Sequence, residues 1–225
     1  MHLLETAIGF NFTNKDLLKE ALTHRSYLNE NPGWSLPHNE RLEYLGDAVL
    51  ELIVSENLFK RFPEAPEGQM TVLRAALVNY QMLARIASEL HLDNFILMSR
   101  GERASGPKAK EALIANAMES LIGALYLDAG LKPVELFIER FILVHLQEIL
   151  ETKSYKDAKS ELQEIIQEKL KITPGYRVLE ESGPAHQRTF QIGVCFGDEL
   201  IAQGSGASKQ EGELEAAKKA LERYK

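Results

Sequence analysis

The sequence lacks most of the features that mark a secreted or membrane-bound protein. It contains a single cysteine, Cys195, which excludes a disulfide within the chain and favours a reducing compartment. The first residues, Met1 to Glu5, carry no basic cluster ahead of an apolar run. No uninterrupted apolar run approaches about 18 residues, the length from which a membrane span is predicted. We therefore expect a cytoplasmic protein with no membrane partner.

The sequence also has fewer basic residues than acidic residues. The chain carries 26 lysine and arginine residues against 33 aspartate and glutamate residues, a formal net charge of −7 at pH 7. The acidic excess falls mainly within residues 1–154. An overall charge of this sign gives no general attraction to nucleic acid, so any RNA contact must come from a local basic patch or be bridged by a metal ion.

The periodicity of the apolar residues divides the chain into two domains. Residues 1–150 follow a helical pattern, interrupted by turns that contain proline and glycine, and show no convincing strand pattern. The polar residues 151–156 are expected to form a linker. Residues 157–225 predict a helix, three strands and a helix, at 157–171, 176–181, 188–196, 200–203 and from the cap Ser208 onwards. The predicted fold class is an all-helical domain followed by a small α-β-β-β-α domain.

The apolar residues of the second domain predict which faces are buried. On the first helix they share one side, formed by Leu162, Ile165, Ile166 and Leu170. In the second strand they alternate with polar or small residues, at Phe190, Ile192, Val194 and Phe196. This alternation is typical of a sheet with one buried face.

A stripe of acidic residues is the most informative feature that the sequence does contain. Glu40, Glu43, Asp47 and Glu51 lie within about 80° of one another on a helix of 3.6 residues per turn. Between Leu42 and Phe59 no lysine or arginine is present to neutralise them. The stripe favours a bound cation, although an ordinary solvated acidic face is the alternative. Apolar residues are expected on the opposite, core-facing side, at Leu42, Leu45, Val49, Leu52 and Ile53.

Two further residues predict the contacts of this helix. Asn39 is a suitable N-cap. Gly46 costs about 1 kcal/mol relative to alanine inside a helix, which indicates that a second backbone approaches closely there.

A second segment, from Ala112 to Leu127, is apolar on nearly all sides, and its strongly polar side chains are Asn116 and Glu119. Such a helix is predicted to be buried, and glutamate is rarely buried without a partner. The partner could be a backbone group or an arginine. The small residues Ala112 and Gly123 lie near the same stripe and would permit close helix contact.

If the two helices pack together, the oxygen atoms of Glu43, Asp47, Asn116 and Glu119 converge. Ligands that are all oxygen suit a hard divalent ion such as Mg²⁺, with Mn²⁺ able to substitute, and do not suit Zn²⁺.

These segments resemble known motifs. His38 to Leu50 resembles the signature of the bacterial ribonuclease III family, and Ala115 to Asp128 resembles its second catalytic segment. Supporting similarities occur in Leu22 to Tyr27, in Glu67-Gly68 and in Leu73 to Val78, so the resemblance covers essentially the whole chain. It implies a homodimeric endonuclease that cuts double-stranded RNA to 5′-phosphate and 3′-hydroxyl ends, in precursors of ribosomal RNA and in some messenger RNAs.

The resemblance also implies roles for individual residues. Glu43, Asn116 and Glu119 would hold magnesium, and Asp47 would help to bind the metal or to position the attacking water. Asp47 and Glu119 are the catalytic candidates. Glu40 and Glu67 are secondary acidic candidates, since either could be an ordinary surface charge. His24 and His38 are expected to be structural.

Residues 157–225 resemble a double-stranded RNA-binding domain. The similarity lies in the first helix, in the loop 183–187 and in residues 204–210, which are expected to open the last helix. A helix N-terminus with a lysine beside it suits a phosphate group, and a loop on the same face could reach a minor groove. The implied RNA contacts are Gln163, Glu164, His186, Ser208, Lys209 and Gln210. The sequence has Gln210 where the family usually has a second lysine and Gly212 where alanine is usual, so weaker phosphate binding is expected. Lys218 and Lys219 could contribute or could form a solvated face.

The more important departure is Asn116, where the family commonly has aspartate. Asparagine can still ligate a metal through its amide oxygen but brings no charge. It could be a natural variant, a tuned metal site or an engineered substitution. Two other functions therefore stay open. The protein could grip duplex RNA without cutting it, or it could be a helical metal-dependent hydrolase of small nucleotides, which would have no use for the second domain.

Overall fold

The structure is a computed structural model that describes residues 2–152, 158–184 and 188–224. It divides into two compact units, Met1–Tyr155 and Lys156–Lys225, which are considered separately.

The first unit is helical throughout its described part, as predicted. Its centre is one long helix that packs against at least five others and carries eleven buried residues. Short 3-10 turns at Leu92–Asn94 and Leu143–His145 complete it. The helices are α1 (His2–Ile8), α2 (Lys15–Ala21), α3 (Arg25–Glu30), α4 (Glu40–Arg61), α5 (Glu67–Val78), α6 (Tyr80–Glu89), α7 (Arg100–Arg103), α8 (Pro107–Ala129, the central helix), α9 (Leu131–Phe141) and α10 (Leu146–Thr152).

Helix α8 explains how the first unit is held together. Its composition and length would allow it to cross a membrane. However, 61% of its most apolar 18-residue stretch is buried inside the protein. Burial on all sides is the property expected of a central core helix. The neighbours of α8 in the core include α2, α4, α6 and α9.

Two sequence-based expectations for the first unit were wrong. Glu151 and Thr152 belong to α10 and not to a linker, because the helix continues through them; the remaining linker residues, 153–156, lie outside the described ranges. Leu52 is 57% exposed and does not join the core stripe of α4. The core side of α4 instead carries Leu50 and Val54, because the buried face rotates along this 22-residue helix.

The second unit has the predicted order. It consists of α11 (Ala158–Leu170), β1 (Gly175–Ser182), β2 (Thr189–Phe196), β3 (Glu199–Gly206) and α12 (Lys209–Tyr224). The strands form an antiparallel sheet in the order β1-β2-β3, and both helices share one apolar core with it. Ile192, Val194 and Phe196 are buried and Phe190 is partly buried, as predicted for β2, but Gly193 and Cys195 between them are buried as well, so the strand does not have one buried face alone.

Two details of the second unit differ from expectation. Leu170 is 48% exposed, since α11 ends there beyond the edge of the core. Residues 204–206 belong to β3 and do not open α12. A Cβ atom added to Gly204 would lie 2.2 Å from the backbone nitrogen of Ala216, so glycine lets α12 lie directly against the strand.

Candidate active site and nucleic-acid interface

The site in the first unit depends on a contact between the backbones of α4 and α8. A Cβ atom on Gly46 would lie 1.7 Å from the carbonyl oxygen of Glu119, and one on Gly123 would lie 2.2 Å from the carbonyl oxygen of Leu42. No side chain fits at either place. The close approach predicted from Gly46 is therefore confirmed, and Gly123 is its counterpart on α8. Ala112 is exposed and takes no part in a buried contact.

A serine that the sequence did not single out ties the same two helices together. Ser120 is fully buried, and its hydroxyl lies 2.8 Å from the carbonyl oxygen of Asn116 and 3.3 Å from that of Asn39. The bond to Asn39 joins α8 to the first turn of α4. Asn39 occupies the N-cap position, as predicted, but its side chain makes no capping hydrogen bond.

The contact brings the predicted acidic residues of α4 and α8 to one place. Burial raises the pKa of the Glu119 carboxyl to about 7, and the charges of Asp47 and Glu43 add to this rise. Burial also raises the pKa of Glu43, as does the charge of Glu40. The Asn116 amide donates a hydrogen bond that lowers this pKa, while Asp47 raises it. These mutual effects place Glu43, Asp47, Asn116 and Glu119 beside one another.

The cluster is open and carries no cation of its own. Among the residues that the structure describes, no lysine or arginine pairs with Glu43, Asp47 or Glu119, and no three histidine, cysteine or acidic side chains close into a metal-binding cage. The donor atoms are all oxygens, and the negative charges of the three carboxylates repel one another. A hard divalent cation fits such a set, because it would offset the repulsion that raises these pKa values.

The secondary candidates lie in different surroundings. Glu40 faces Arg25, with 3.2 Å between the nearest nitrogen and oxygen, and it acts on the pKa of Glu43, so it borders the cluster. Glu67 is the first residue of α5, and its carboxylate accepts a hydrogen bond from the hydroxyl of Thr71 at 2.9 Å. Glu67 and Arg74 both line a cavity of about 400 Å³. Glu67 is not part of the cluster formed by Glu43, Asp47, Asn116 and Glu119.

The two histidines considered in the sequence have local roles. His24 is the N-cap of α3, where its Nδ1 accepts a hydrogen bond from the backbone of Ser26, and burial lowers its pKa. His38 lies 3.9 Å from Glu40, at the start of α4.

In the second unit, the predicted RNA-binding residues lie at the exposed start of α12 and on α11. Gln163, Glu164 and Gln210 are exposed, and His186 lies outside the described residues. The hydroxyl of Ser208 accepts a hydrogen bond from the backbone of Glu211 at 3.2 Å, which confirms the predicted cap. Lys209 is exposed and lies near Glu181 and over the ring of Phe190.

The neighbouring departures from the usual motif have physical reasons. A Cβ atom on Gly212 would lie 2.6 Å from Cγ1 of Ile192, so alanine would not fit without a shift of that side chain. Lys219 pairs with Glu215 at 2.8 Å, whereas Lys218 is exposed.

A helical unit with a cluster of carboxylates, followed by an α-β-β-β-α unit with a lysine at a helix N-terminus, defines a nuclease joined to a duplex-RNA-binding domain. Residues 14–146 match the family described as Ribonuclease-III-like, and residues 158–224 match the double-stranded RNA binding motif. The chain belongs to the ribonuclease III family and is an endoribonuclease.

Individual relatives agree with this assignment. The chain is 45% identical over 222 residues to Ribonuclease 3 of Carboxydothermus hydrogenoformans, which covers 99% of this chain and 94% of that protein. It is 44% identical over 218 residues to Ribonuclease 3 of Enterococcus faecalis, covering 97% and 94%. The nuclease domain of ribonuclease III from Campylobacter jejuni superposes with a TM-score of 0.57 at 43% identity, covering 63% of this chain and 95% of that one. That structure is described as flexible in a region involved in dimer formation.

Proposed function

We propose that this endoribonuclease is magnesium-dependent and that Glu43, Asp47, Asn116 and Glu119 hold the ion. The observation that carries this proposal is the contact of α4 with α8 at Gly46 and Gly123, which brings Glu119 beside Glu43 and Asp47 without a cationic partner among the described residues. Carboxylates in a structural role are normally paired when they are buried. An unpaired cluster held by a glycine contact between two helices fits a site built for a cation. Mn²⁺ has the same ligand preference and would substitute.

When bound, the divalent ion would offset the negative charge that develops on the phosphate as its phosphodiester bond breaks. The residues of the chain supply positioning. Glu43 and Asp47 lie one turn apart on α4, and Glu119 faces them from α8 across the glycine contact. Asp47 is exposed, so its carboxylate can orient a water molecule beside the scissile phosphate. Fixed helices hold these groups in place before the substrate arrives, which lowers the reorganisation needed during the reaction.

Asn116 is compatible with this function. Its amide already donates a hydrogen bond to Glu43 in the absence of a cation, which stabilises the charged carboxylate. Rotation of the amide would present its oxygen to an ion instead. We therefore favour an active enzyme over a protein that only binds duplex RNA.

We also propose that the protein acts as a homodimer. Two large apolar side chains on the face of α4 and at the end of α8 are exposed, Tyr44 at 83% and Leu127 at 54%. They border a cavity of about 650 Å³ whose other lining residues are the apolar Leu17, Leu42 and Leu45 and the polar Glu20, His38, Glu40 and Arg41. Apolar residues grouped around a cavity are typical of an interface. A pair of sites in two chains would cut both strands of a duplex, since the described residues contain one such cluster.

The natural substrates we propose, from membership of the ribonuclease III family, are duplex regions in precursors of ribosomal RNA and in some messenger RNAs. We propose the cytoplasm as the location. The one cysteine, Cys195, is free and buried, which is compatible with a reducing compartment.

A cleavage assay tests the proposal. Labelled duplex RNA is incubated with the full chain, with magnesium or with a chelator, and products are separated by size. We expect short duplex fragments with magnesium and intact RNA with the chelator. Binding without cleavage in both conditions would favour the alternative of a binding protein. Cleavage of mononucleotides in place of duplex RNA would favour a small-nucleotide hydrolase.

The dimer is tested by Tyr44→Ser, which should shift the sedimentation of the protein from dimer to monomer.

A further inference from the structure

One acidic residue of the second unit lies between two exposed cations on the side where RNA is expected to bind. The carboxylate of Glu181 is 3.6 Å from Nζ of Lys209 and 3.7 Å from a guanidinium nitrogen of Arg188. These residues come from β1, from the start of α12 and from the segment before β2. Each of the three side chains is between 41% and 58% exposed.

The register of the sheet explains how they meet. Glu181 pairs with Phe190 across β1 and β2, so both side chains lie on the same face. Nζ of Lys209 lies 5.7 Å from the centre of the Phe190 ring, within the range of a cation–π contact. The lysine is thus held beside the carboxylate by the ring and by the start of α12.

The two ion pairs contribute little to the fold. Both distances exceed that of a direct hydrogen bond, and exposed pairs of this kind are screened by water. A phosphate group approaching Lys209 and Arg188 would, however, meet the negative charge of Glu181 within a few ångströms. The main consequence of Glu181 is therefore for anion binding.

The other acidic residue at the start of α12 has a different role. The carboxylate of Glu211 accepts a hydrogen bond from the backbone of Ala207 at 2.8 Å, and its own backbone donates to Ser208. This reciprocal arrangement is a capping box, which holds Glu211 in place through local bonds. Glu181 has no such local bond among the described residues and is free to leave its cationic partners.

We propose that Glu181 is a built-in competitor of the RNA backbone, which occupies Lys209 and Arg188 in the free protein and must be displaced when duplex RNA binds. It lowers the affinity for RNA and reduces the dependence of that affinity on salt. The proposal rests on duplex RNA binding by this face of the second unit.

The test compares Glu181→Gln with Glu180→Gln in the full chain. Both variants remove one negative charge from the same strand, but successive residues of a strand face opposite sides of the sheet, so Glu180 does not share the face of Lys209. Affinity is measured for a labelled RNA duplex of about 20 base pairs, longer than the roughly 16 that such a domain spans. A chelator is present so that no cleavage occurs.

We expect Glu181→Gln to bind RNA about three to ten times more tightly than Glu180→Gln near 50 mM salt. The slope of log affinity against log salt should steepen by up to about one unit, since each additional phosphate contact contributes roughly 0.9. Equal affinities of the two variants, or weaker binding by Glu181→Gln, would overturn the proposal. Matching far-ultraviolet circular dichroism melting curves check that both variants fold.

Lys209→Gln, alone and combined with Glu181→Gln, tests separately whether this face binds RNA and whether Glu181 competes with the RNA. We expect the single lysine variant to bind RNA more weakly and the gain from Glu181→Gln to shrink in its presence. An undiminished gain would show that Glu181 does not act through Lys209. If Lys209→Gln leaves the affinity unchanged, the RNA-binding face itself is wrongly assigned. If it weakens binding but Glu181→Gln gives no gain, only the competitor role fails.

Discussion

Two carboxylates, one in each unit, experience opposite environments. In the first unit, burial raises the pKa of Glu119 to about 7, and neighbouring Asp47 and Glu43 increase the rise. In the second unit, Lys219 and the backbone of Ser205 hold the pKa of Glu215 at about 2. The surroundings of Glu119 favour the protonated form of its carboxyl group, whereas those of Glu215 favour the charged form.

The pKa values of Glu119 and Glu215 differ because only Glu215 has hydrogen-bonding and cationic partners within the described residues. Glu215 accepts hydrogen bonds from the backbone and the hydroxyl of Ser205, and so covers part of the open edge of β3. Further acids of this unit are paired in the same way, as with Glu213 and Lys159 at 2.6 Å. The cluster on α4 and α8 has no such cationic partners in the described ranges. Acids such as Glu215 and Glu213 are satisfied within the chain, whereas those of the proposed cation site have no partner of opposite charge among the described residues.

The most severe test of this contrast is Glu119→Gln. We expect cleavage to fall by far more than tenfold while duplex RNA binding stays nearly unchanged, because the ligand set loses a charge and the second unit is untouched. A variant that keeps more than about a tenth of the wild-type rate, a barrier change under roughly 1.4 kcal/mol, would show that Glu119 is not a principal ligand.

Although Glu119→Gln should lower the cleavage rate, it should raise the stability of the folded protein when no metal is present. The pKa of Glu119 is raised on folding, so the folded state binds more protons and wild-type stability declines as the pH rises from about 4.5 to 7. Above pH 7 the loss is at most roughly 3 kcal/mol. Glu119→Gln should therefore melt at a higher temperature at pH 8 in chelator, as followed by the fluorescence of Trp34.

A second test alters the contact between α4 and α8. Gly46→Ala places a methyl group against the backbone of Glu119, which cannot move aside without separating the helices. We expect a loss of about 3 kcal/mol or more in unfolding free energy, with cleavage lost as well. Gly68→Ala is the matched control, since this helical glycine has open space around it and alanine should stabilise α5 by up to about 1 kcal/mol. Urea titration measures both.

A third test restores the missing charge at residue 116. Asn116→Asp should lower the magnesium concentration needed for half-maximal cleavage, by about tenfold if roughly 1.4 kcal/mol of attraction survives desolvation and repulsion. RNA binding in chelator should stay the same. An unchanged or higher magnesium requirement would mean that residue 116 does not face the ion.

The smallest effect is expected from Glu215→Gln. The pKa of Glu215 is lowered on folding, so its contribution to stability is present above pH 4.5 and is lost as the pH falls towards about 2. Because the side chain is 37% exposed, we expect the variant to lose only about 1 kcal/mol at pH 7 after solvent screening. Hydrogen exchange of the β3 amides measures this loss. Glu222→Gln, an exposed acid on the same helix, should leave their exchange unchanged.

Sequence patterns predicted the parts of the molecule that depend on periodicity and on unusual residues. The glycine within α4 predicted a close backbone neighbour because no packing advantage of its own could justify it. The alternation in β2 predicted the burial of its large apolar residues. By contrast, the sequence did not predict the full length of β3, because Gly204 and Gly206 resemble turn residues. They pair with Ile192 and Phe190 of β2, and their lack of a side chain leaves room for α12.

The candidate site was predictable to a similar degree. Acidic residues spaced along one helix and a lone glutamate in an apolar helix indicated the cluster, since both are costly without a partner. Ser120 escaped notice because serine is common in helices and its bond to Asn39 spans 81 positions in the chain. The approach of Glu181 to Lys209 was equally invisible, since it depends on how β1 and α12 meet.

The proposed site is assembled in two stages during synthesis of the chain, because its residues lie on both α4 and α8. A nascent chain that has emerged only as far as α7 carries Glu43 and Asp47 but neither Asn116 nor Glu119. The opposing half of the ligand set arrives about 70 residues later, and it comes into place only when Gly123 meets the backbone of Leu42. On the proposed metal site, a chain that ends before α8 would carry only half of the ligands, and we expect it not to cut duplex RNA.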